Sequence, residues 1–86
     1  MDLQTKPLSQ QALIKEDCIL LEGQAVFYRL FEDISGFSIE ICFGEDHCRS
    51  RVGSGFARAA ALYERLVQGE VTPCTMQDIL DDLSNL

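Results

Sequence analysis

Residues 37–52 constrain the fold of this chain more than any other stretch, because they read as two short strands joined by a tight turn. In residues 37–43 large apolar side chains alternate with smaller or polar ones, which is the pattern of a strand with one buried face. Residues 44–47, Gly-Glu-Asp-His, are typical of a turn. We therefore predict an antiparallel hairpin with one apolar face.

The loop of this hairpin determines which side chains lie opposite each other. With Glu45 and Asp46 as the loop, Glu40 lies opposite Arg51 on the polar face. The same register predicts three pairs on the apolar face: Phe43 with Cys48, Ile41 with Ser50 and Ile39 with Val52. Cys42 and Cys48 then point to opposite faces, which excludes a disulfide between them.

A second predicted hairpin precedes the first and agrees with it on the pattern of charges. Residues 24–32 carry apolar side chains on both faces, which indicates a central strand. Closing the loop through residues 33–36 sets Tyr28 opposite Ile41 and Arg29 opposite Glu40. The polar face then carries a ladder of Arg29, Glu40 and Arg51. Residues 12–21 are predicted as a first strand, joined to the second through Glu22-Gly23.

The predicted sheet has a second apolar patch on the face that carries the charged ladder. It consists of Ala25, Phe27 and Phe31 from the second strand, joined by Cys18 and Leu20 from the first. One interpretation is that the N-terminal arm covers the patch with Leu3 and Leu8. The other is a protein interface, most simply that of a homodimer. The sequence leaves both open.

After residue 52 the apolar residues recur at three- and four-residue spacing, which predicts two amphipathic helices. The first spans residues 56–68, with Ser54 as its N-cap and Gly69 after its last turn. The second spans residues 76–83, where Thr75 and Asp78 resemble a capping box. We expect one core, formed by Val26, Tyr28, Leu30, Ile39, Ile41, Phe43, Val52, Phe56, Ala60, Tyr63, Leu66, Ile79, Leu80 and Leu83.

Length and composition restrict the classes of protein to which the chain can belong. Its 86 residues suffice for one domain, predicted at 11–86 after a flexible arm at 1–10. The net charge of −7 disfavours nucleic acid and anionic membranes, although Arg49, Arg51 and Arg58 form a local basic cluster. No apolar run could span a bilayer and no secretion signal is recognisable, so we expect a cytoplasmic protein.

The residues that could carry chemistry each have a simpler structural interpretation. The four cysteines form no Cys-x-x-Cys, so we expect reduced thiols. His47 and Cys48 are strand neighbours that point apart, which disfavours a catalytic pair. Asp78 and Asp82 could share a cation but lack further ligands. The turn Gly53-Ser54-Gly55 before a helix could hold an anion, although a turn and helix cap is the better account of it. We predict no catalytic, cofactor or metal residue.

The C-terminal third carries a recognisable series of segments. Residues 62–69, Leu-Tyr-Glu-Arg-Leu-Val-Gln-Gly, are followed by Val71-Thr72-Pro73 and by residues 76–83, Met-Gln-Asp-Ile-Leu-Asp-Asp-Leu. This arrangement resembles a family of small uncharacterised bacterial domains, which end in a helix, a Val-x-Pro-like linker and an acidic helix. The overlap covers about residues 25–84. The resemblance implies an intracellular bacterial α+β domain and supplies no catalytic residue.

The sequence thus predicts an α+β fold: an antiparallel meander sheet of three to four strands, with two C-terminal helices packed on one face. The predicted function is a non-catalytic protein-interaction or regulatory module. Its candidate interface residues are Phe27, Phe31, Ala25 and Leu20 on the sheet, and Asp78, Asp81 and Asp82 on the last helix. The alternative is a small ligand-, anion-binding or enzymatic domain that uses residues 53–55. We expect a protein partner or a second copy of the chain, and no cofactor.

Overall fold

Four β-strands followed by two α-helices make up the computed structural model, which describes residues 11–84. The strands are β1 (Ala12–Leu21), β2 (Gln24–Asp33), β3 (Gly36–Phe43) and β4 (Asp46–Arg51), and the helices are α1 (Phe56–Gln68) and α2 (Pro73–Ser84). The prediction of a flexible arm at 1–10, with Leu3 and Leu8 as a cover, lies outside the described residues. Within the described part, neither helix has the length and apolar character needed to cross a bilayer.

The strands form one antiparallel sheet in the order β1-β2-β3-β4, so each strand pairs with the next one along the chain. Both helices pack on the same face, called here the inner face, and the opposite face is called the outer face. This arrangement confirms the predicted α+β fold with a meander sheet. Every loop between consecutive strands is short. Because parallel pairing would need a long crossover connection, consecutive strands pair antiparallel.

The first two hairpins have the predicted registers. Tyr28 pairs with Ile41 and Arg29 with Glu40, and β1 joins β2 so that Leu20 pairs with Ala25. The β1–β2 turn has a φ of +54° at Glu22 and +82° at Gly23. Positive φ at both central residues is the geometry that matches the twist of paired strands.

The predicted register of the third hairpin is wrong by two residues. Ile41 pairs with Cys48 and Glu40 with Arg49, so the loop consists of Gly44 and Glu45, and Asp46 already belongs to β4. Gly44 has a φ of +62°, which glycine adopts without strain and which suits the first position of a two-residue loop. Because side chains alternate with period two, a shift of two residues preserves the faces and changes the neighbours.

Helix α1 has the predicted bounds, whereas its predicted N-cap and the start of α2 are wrong. The N-cap of α1 is Gly55, with no side-chain hydrogen bond, so Ser54 does not cap the helix. Gly69 ends it as predicted and donates its N–H to the carbonyl of Arg65. Helix α2 begins at Pro73 rather than Met76. Proline is well suited to the first helical position, because its fixed φ is helical and its missing N–H would have no partner there.

The core confirms most of the predicted positions and corrects the phase of α1. Phe56, predicted to be buried, is 54% exposed and touches the core through the Phe37 ring, 5.7 Å away between centroids. Ala60 is half-buried, and Phe43, Ile79 and Leu83 pack against the core without full burial. Five residues of the buried hydrophobic core were not predicted: Phe37, Ala59, Leu62, Val71 and Met76.

Charged residues attach β1 to α1 on the inner face. The Lys15 ammonium donates to the Glu64 carboxylate at 2.5 Å and lies 5.5 Å from the centroid of the Tyr63 ring. Asp17 accepts a 2.7 Å hydrogen bond from the Tyr63 hydroxyl. A register irregularity between Leu13 and Lys15 precedes these residues. The charged segment within β1 therefore docks a helix rather than interrupting the strand.

The two tyrosines connect the sheet to the segments around it. The Tyr28 hydroxyl donates to the carbonyl of Val71 at 2.9 Å, and the Tyr63 hydroxyl contacts the carbonyl of Tyr28 at 3.0 Å. Burial, with a contribution from Glu70, raises the pKa of Tyr28 to about 12. Burial and the hydrogen bond to Asp17 raise the pKa of Tyr63 above its ordinary value of 10.0. Both hydroxyls therefore hold their protons more tightly in the folded state.

We expect this pair to make the domain sensitive to alkaline pH. A group whose pKa is raised by folding contributes stability that is complete below its unfolded pKa, here 10.0, and is lost as the pH rises towards the folded pKa. The free energy of unfolding, measured in urea between about pH 8 and pH 11, should therefore fall. The double variant Tyr28→Phe/Tyr63→Phe should lose less over the same range, and an equal loss would contradict this assignment.

Candidate functional site

The outer face of the sheet carries the predicted apolar patch. Leu20 is 73% exposed and Phe27 is 37% exposed, while Ala25 and Phe31 are half-buried. Cys18 pairs with Phe27 across the β1–β2 ladder and is exposed, as predicted for a member of the patch. These residues share one face because they occupy alternate positions of two paired strands. The structure therefore places these residues of β1 and β2 on one face of the sheet, in the predicted register.

Two arginines lie over the aromatic rings of this face. The Arg49 guanidinium is 4.4 Å from the centroid of the Phe31 ring, and the Arg29 guanidinium is 5.4 Å from that of Phe27. Guanidinium groups at these distances interact favourably with the π electrons of a ring. Arg49 also donates to the Gln11 side chain. The apolar patch is thus partly covered by cations held in defined positions.

Next to the aromatic rings, the outer face carries a cluster of interacting polar side chains centred on Glu40. One Glu40 oxygen accepts a hydrogen bond from Arg29 Nη1 at 3.2 Å, and the other lies 2.6 Å from His47 Nε2. Arg29 Nε donates to Glu16 at 2.7 Å, and Arg29 Nη1 lies 3.8 Å from Cys42 Sγ. The charges of this part of the face are therefore paired with one another.

The pKa of Glu40 reflects its partners. Partial burial raises the pKa of this carboxyl, but the hydrogen bonds from His47 and Arg29, together with their charges, outweigh burial and lower the pKa below its usual value. Glu40 is therefore ionised at neutral pH and acts as an acceptor for both neighbours. This network fixes the carboxylate in the middle of the outer face.

The predicted ladder of Arg29, Glu40 and Arg51 is correct only in its first pair. Arg51 instead donates to the backbone carbonyl of Ser35 at 2.5 Å and lies 3.7 Å from the carboxylate of Asp33. The corrected register of β3 and β4 explains the difference, because it places Arg49 opposite Glu40 and Arg51 opposite Ser38. Arg51 thereby holds the β2–β3 loop.

Three residues of the outer face bring different metal-ligating atoms together. The carboxylate of Glu40, the sulfur of Cys42 and a ring nitrogen of His47 lie within 4.8 Å of one another. Among residues 11–84 this is the only such group of three. The sequence predicted no metal residue, because its cysteines form no Cys-x-x-Cys and it has a single histidine. The assumed register also set Cys42 opposite Arg49 rather than His47. A predicted loop at Gly44-Glu45 would have placed His47 opposite Cys42.

The acidic residues of α2 form a separate surface. Asp78, Asp81 and Asp82 are exposed, as predicted for a solvated acidic face. Asp81 accepts a 3.1 Å hydrogen bond from Gln77, one turn earlier. Because α2 packs on the inner face, these carboxylates lie on the far side of the molecule from the apolar patch. The seven predicted interface residues therefore belong to two surfaces rather than one.

The glycine turn, which the alternative prediction uses as an anion site, opens onto a cleft between β4 and the two helices. The cleft has a volume of about 310 Å³ and is lined by Ser50, Arg51, Val52, Gly53, Arg58, Leu62, Gln77, Leu80 and Asp81. Two arginines favour an anion there, but the Asp81 carboxylate opposes one. The Gly53 carbonyl accepts the Phe37 N–H at 2.8 Å, so part of the turn is engaged in extending the sheet.

Comparison of the chain with models of protein families, with curated proteins and with solved structures gave no match. The resemblance of the C-terminal third to small bacterial domains therefore stays a prediction.

Proposed function

We propose that this protein is a non-catalytic interaction module that binds another protein surface through the outer face of its sheet. The observation that carries the proposal is the one-sided packing of the helices. Both helices lie on the inner face, and within residues 11–84 no element covers the apolar patch on the outer face. An exposed apolar patch rimmed by polar residues is characteristic of interaction sites on small proteins.

The composition of the outer face supports a protein partner over a small ligand. Aromatic residues and arginines are enriched at the centres of protein interfaces, and here Phe27 and Phe31 are each paired with an arginine. The arrangement is also rigid, since the rings stand on paired strands and the guanidinium groups are held by hydrogen bonds. A preformed surface loses less side-chain entropy on binding.

A second copy of the chain is the partner that the charges favour. The whole chain carries −7, and its acidic helix α2 lies on the inner side, whereas on the outer face the charges of Glu16 and Glu40 are balanced by those of Arg29 and Arg49. Two outer faces can therefore meet without burying an unpaired charge, which is the main electrostatic penalty in an interface.

The size of the outer face sets the expected strength of such a dimer. Four strands about 4.8 Å apart and about eight residues long give a footprint of roughly 500 Å². Two such faces would bury roughly 1,000 Å² in total, the lower limit for a specific interface. We therefore expect a dimer whose population depends on protein concentration.

Light scattering on matched variants tests this interface. Phe27→Glu places a charge in the middle of the outer face and should convert a concentration-dependent dimer into a folded monomer. Ile34→Glu is the matched control, because it also replaces a large apolar side chain by glutamate. Ile34 is 90% exposed and lies in the β2–β3 loop. Circular dichroism checks that both variants are folded. A parent protein that is monomeric at every concentration, or equal dissociation by both variants, would contradict a dimer through this face.

Small-anion binding in the cleft is the second candidate function, favoured by the presence of Arg51 and Arg58 in its lining. Phosphate should then raise the melting temperature of the unchanged protein, and Arg51→Gln should remove that effect. A melting temperature that phosphate leaves unchanged would exclude phosphate binding at this position.

We also propose a cytoplasmic, bacterial origin for the protein. All four cysteines are unpaired, with Cys18 and Cys74 exposed, which is usual for a chain that works in a reducing compartment. The resemblance of residues 62–83 to bacterial domains supports the same setting.

A further inference from the structure

We propose that Glu40, Cys42 and His47 form a binding site for a single divalent cation of the zinc type, with one coordination position left open. This inference goes beyond the proposed interaction function and does not depend on it.

The topology of the β3–β4 hairpin brings the three side chains together. Glu40 and Cys42 stand two residues apart on β3 and so point to the same face of the sheet. His47 is the direct cross-strand partner of Cys42, and its ring reaches back to Glu40 at 2.6 Å. The rigid hairpin thus fixes the backbone of all three ligands.

The distances between the ligand atoms suit a small cation after modest side-chain rotation. Zinc binds sulfur at about 2.3 Å, and nitrogen and oxygen at about 2.0 to 2.2 Å, so ligand atoms in a tetrahedral site lie roughly 3 to 4 Å apart. Here they lie within 4.8 Å of one another. An entering ion would separate His47 from Glu40 slightly and draw Cys42 closer. The His47 ring is exposed, so it has room to make this adjustment on the surface.

The donor set selects the class of metal. Thiolate and imidazole ligands favour zinc and neighbouring transition metals, whereas calcium and magnesium require oxygen ligands. A thiolate and a carboxylate would balance the two positive charges of the ion. Three protein ligands leave the fourth coordination position for water or an external ligand, as in zinc sites with three protein ligands and one open position.

Arg29 has the position of an outer-shell partner. Its Nη1 donates to Glu40 Oε1, so the other oxygen, Oε2, stays directed towards His47. An outer-shell hydrogen bond of this kind orients a metal-binding carboxylate.

Cobalt(II) titration is the experiment, because a cobalt–thiolate bond gives a charge-transfer absorption that other ligands do not. Cys42→Ser, His47→Gln and Glu40→Gln each remove one ligand. Cys48→Ser is the matched control, since Cys48 lies on the same hairpin and packs against the core on the inner face. Cys18→Ser and Cys74→Ser test the two exposed thiols. Circular dichroism confirms that each variant is folded.

We expect the unchanged protein to bind one cobalt ion per chain with the thiolate absorption, and zinc to displace it. Cys42→Ser should abolish the absorption. His47→Gln and Glu40→Gln should weaken binding by more than the roughly 10- to 100-fold typical of losing an outer-shell partner. Cys48→Ser, Cys18→Ser and Cys74→Ser should leave binding unchanged. Repeating the titration at protein concentrations where the chain is monomeric separates this site from the interface, because each copy should bind cobalt equally well.

Three outcomes would overturn the proposal. The first is no thiolate absorption with the unchanged protein. The second is an absorption that survives Cys42→Ser or is lost with Cys18→Ser or Cys74→Ser. The third is a stoichiometry of one metal per two chains, which would mean that the ion joins copies of the protein rather than occupying this site.

Discussion

Ile41→Asp is expected to remove the cooperative unfolding transition of this domain. Ile41 lies on β3, one of the two central strands of the sheet, is completely buried, and belongs to the core that both helices cover. Truncation of a buried isoleucine alone costs about 2 to 5 kcal/mol, and an uncompensated buried charge adds several more. Small domains are stable by about 5 to 15 kcal/mol in total, so the combined cost approaches the whole.

Arg49→Asp provides the comparison for Ile41→Asp. Arg49 is exposed on the neighbouring strand, where its guanidinium covers the Phe31 ring. Losing this contact should cost about 0.5 to 1 kcal/mol, which leaves a cooperative melt. Thermal denaturation followed by circular dichroism measures both variants. Equal stability of the two would show that β3 does not present Ile41 to the core.

Gly36→Ala should give the second-largest loss of stability. Gly36 begins β3 with a φ of +137°, and a β-carbon there would overlap the carbonyl oxygen of Gly53. That oxygen accepts the Phe37 N–H at 2.8 Å, so it cannot retreat without breaking the link between β3 and residues 52–53. The strained backbone costs roughly 1 to 3 kcal/mol and the overlap roughly as much again.

Gly23→Ala separates the two causes of this loss. Gly23 also has a positive φ, +82°, but a β-carbon there meets nothing within 4 Å. Gly23→Ala should therefore lower the free energy of unfolding only by the cost of backbone strain, about 1 to 2 kcal/mol. Urea unfolding compares the two variants. If Gly36→Ala were no more destabilising than Gly23→Ala, the contact between Gly36 and Gly53 would have no energetic importance.

The sheet was predictable where period-two alternation and turn chemistry agreed. In β1–β2 and β2–β3 the loop residues allow one register that keeps both faces consistent, and that register is the observed one. In β3–β4 a slip of two residues preserves every face, so the pattern alone cannot exclude it. The positive φ of Gly44 decides the register in the folded protein.

That slip also hid the cluster of polar side chains on the outer face. The assumed register set His47 opposite Gly44 and Cys42 opposite Arg49, so neither the pairing of His47 with Cys42 nor its contact with Glu40 could be anticipated. The contacts of the charged residues of β1 could not be predicted for another reason. Lys15 and Asp17 face α1, and their partners Glu64 and Tyr63 are nearly 50 residues away in sequence. Local patterns contain no information on such contacts.

Cys18 and Cys74 allow a direct test of the central claim that the outer face is an interface. Both thiols are exposed, but Cys18 lies beside Phe27 on the outer face and Cys74 lies on α2. The measurement is the rate of alkylation of each thiol, followed by mass spectrometry over a series of protein concentrations. We predict that Cys18 becomes protected as concentration rises while Cys74 does not, and that Phe27→Glu abolishes the protection. Alkylation rates of both thiols that are independent of concentration would contradict self-association through the outer face.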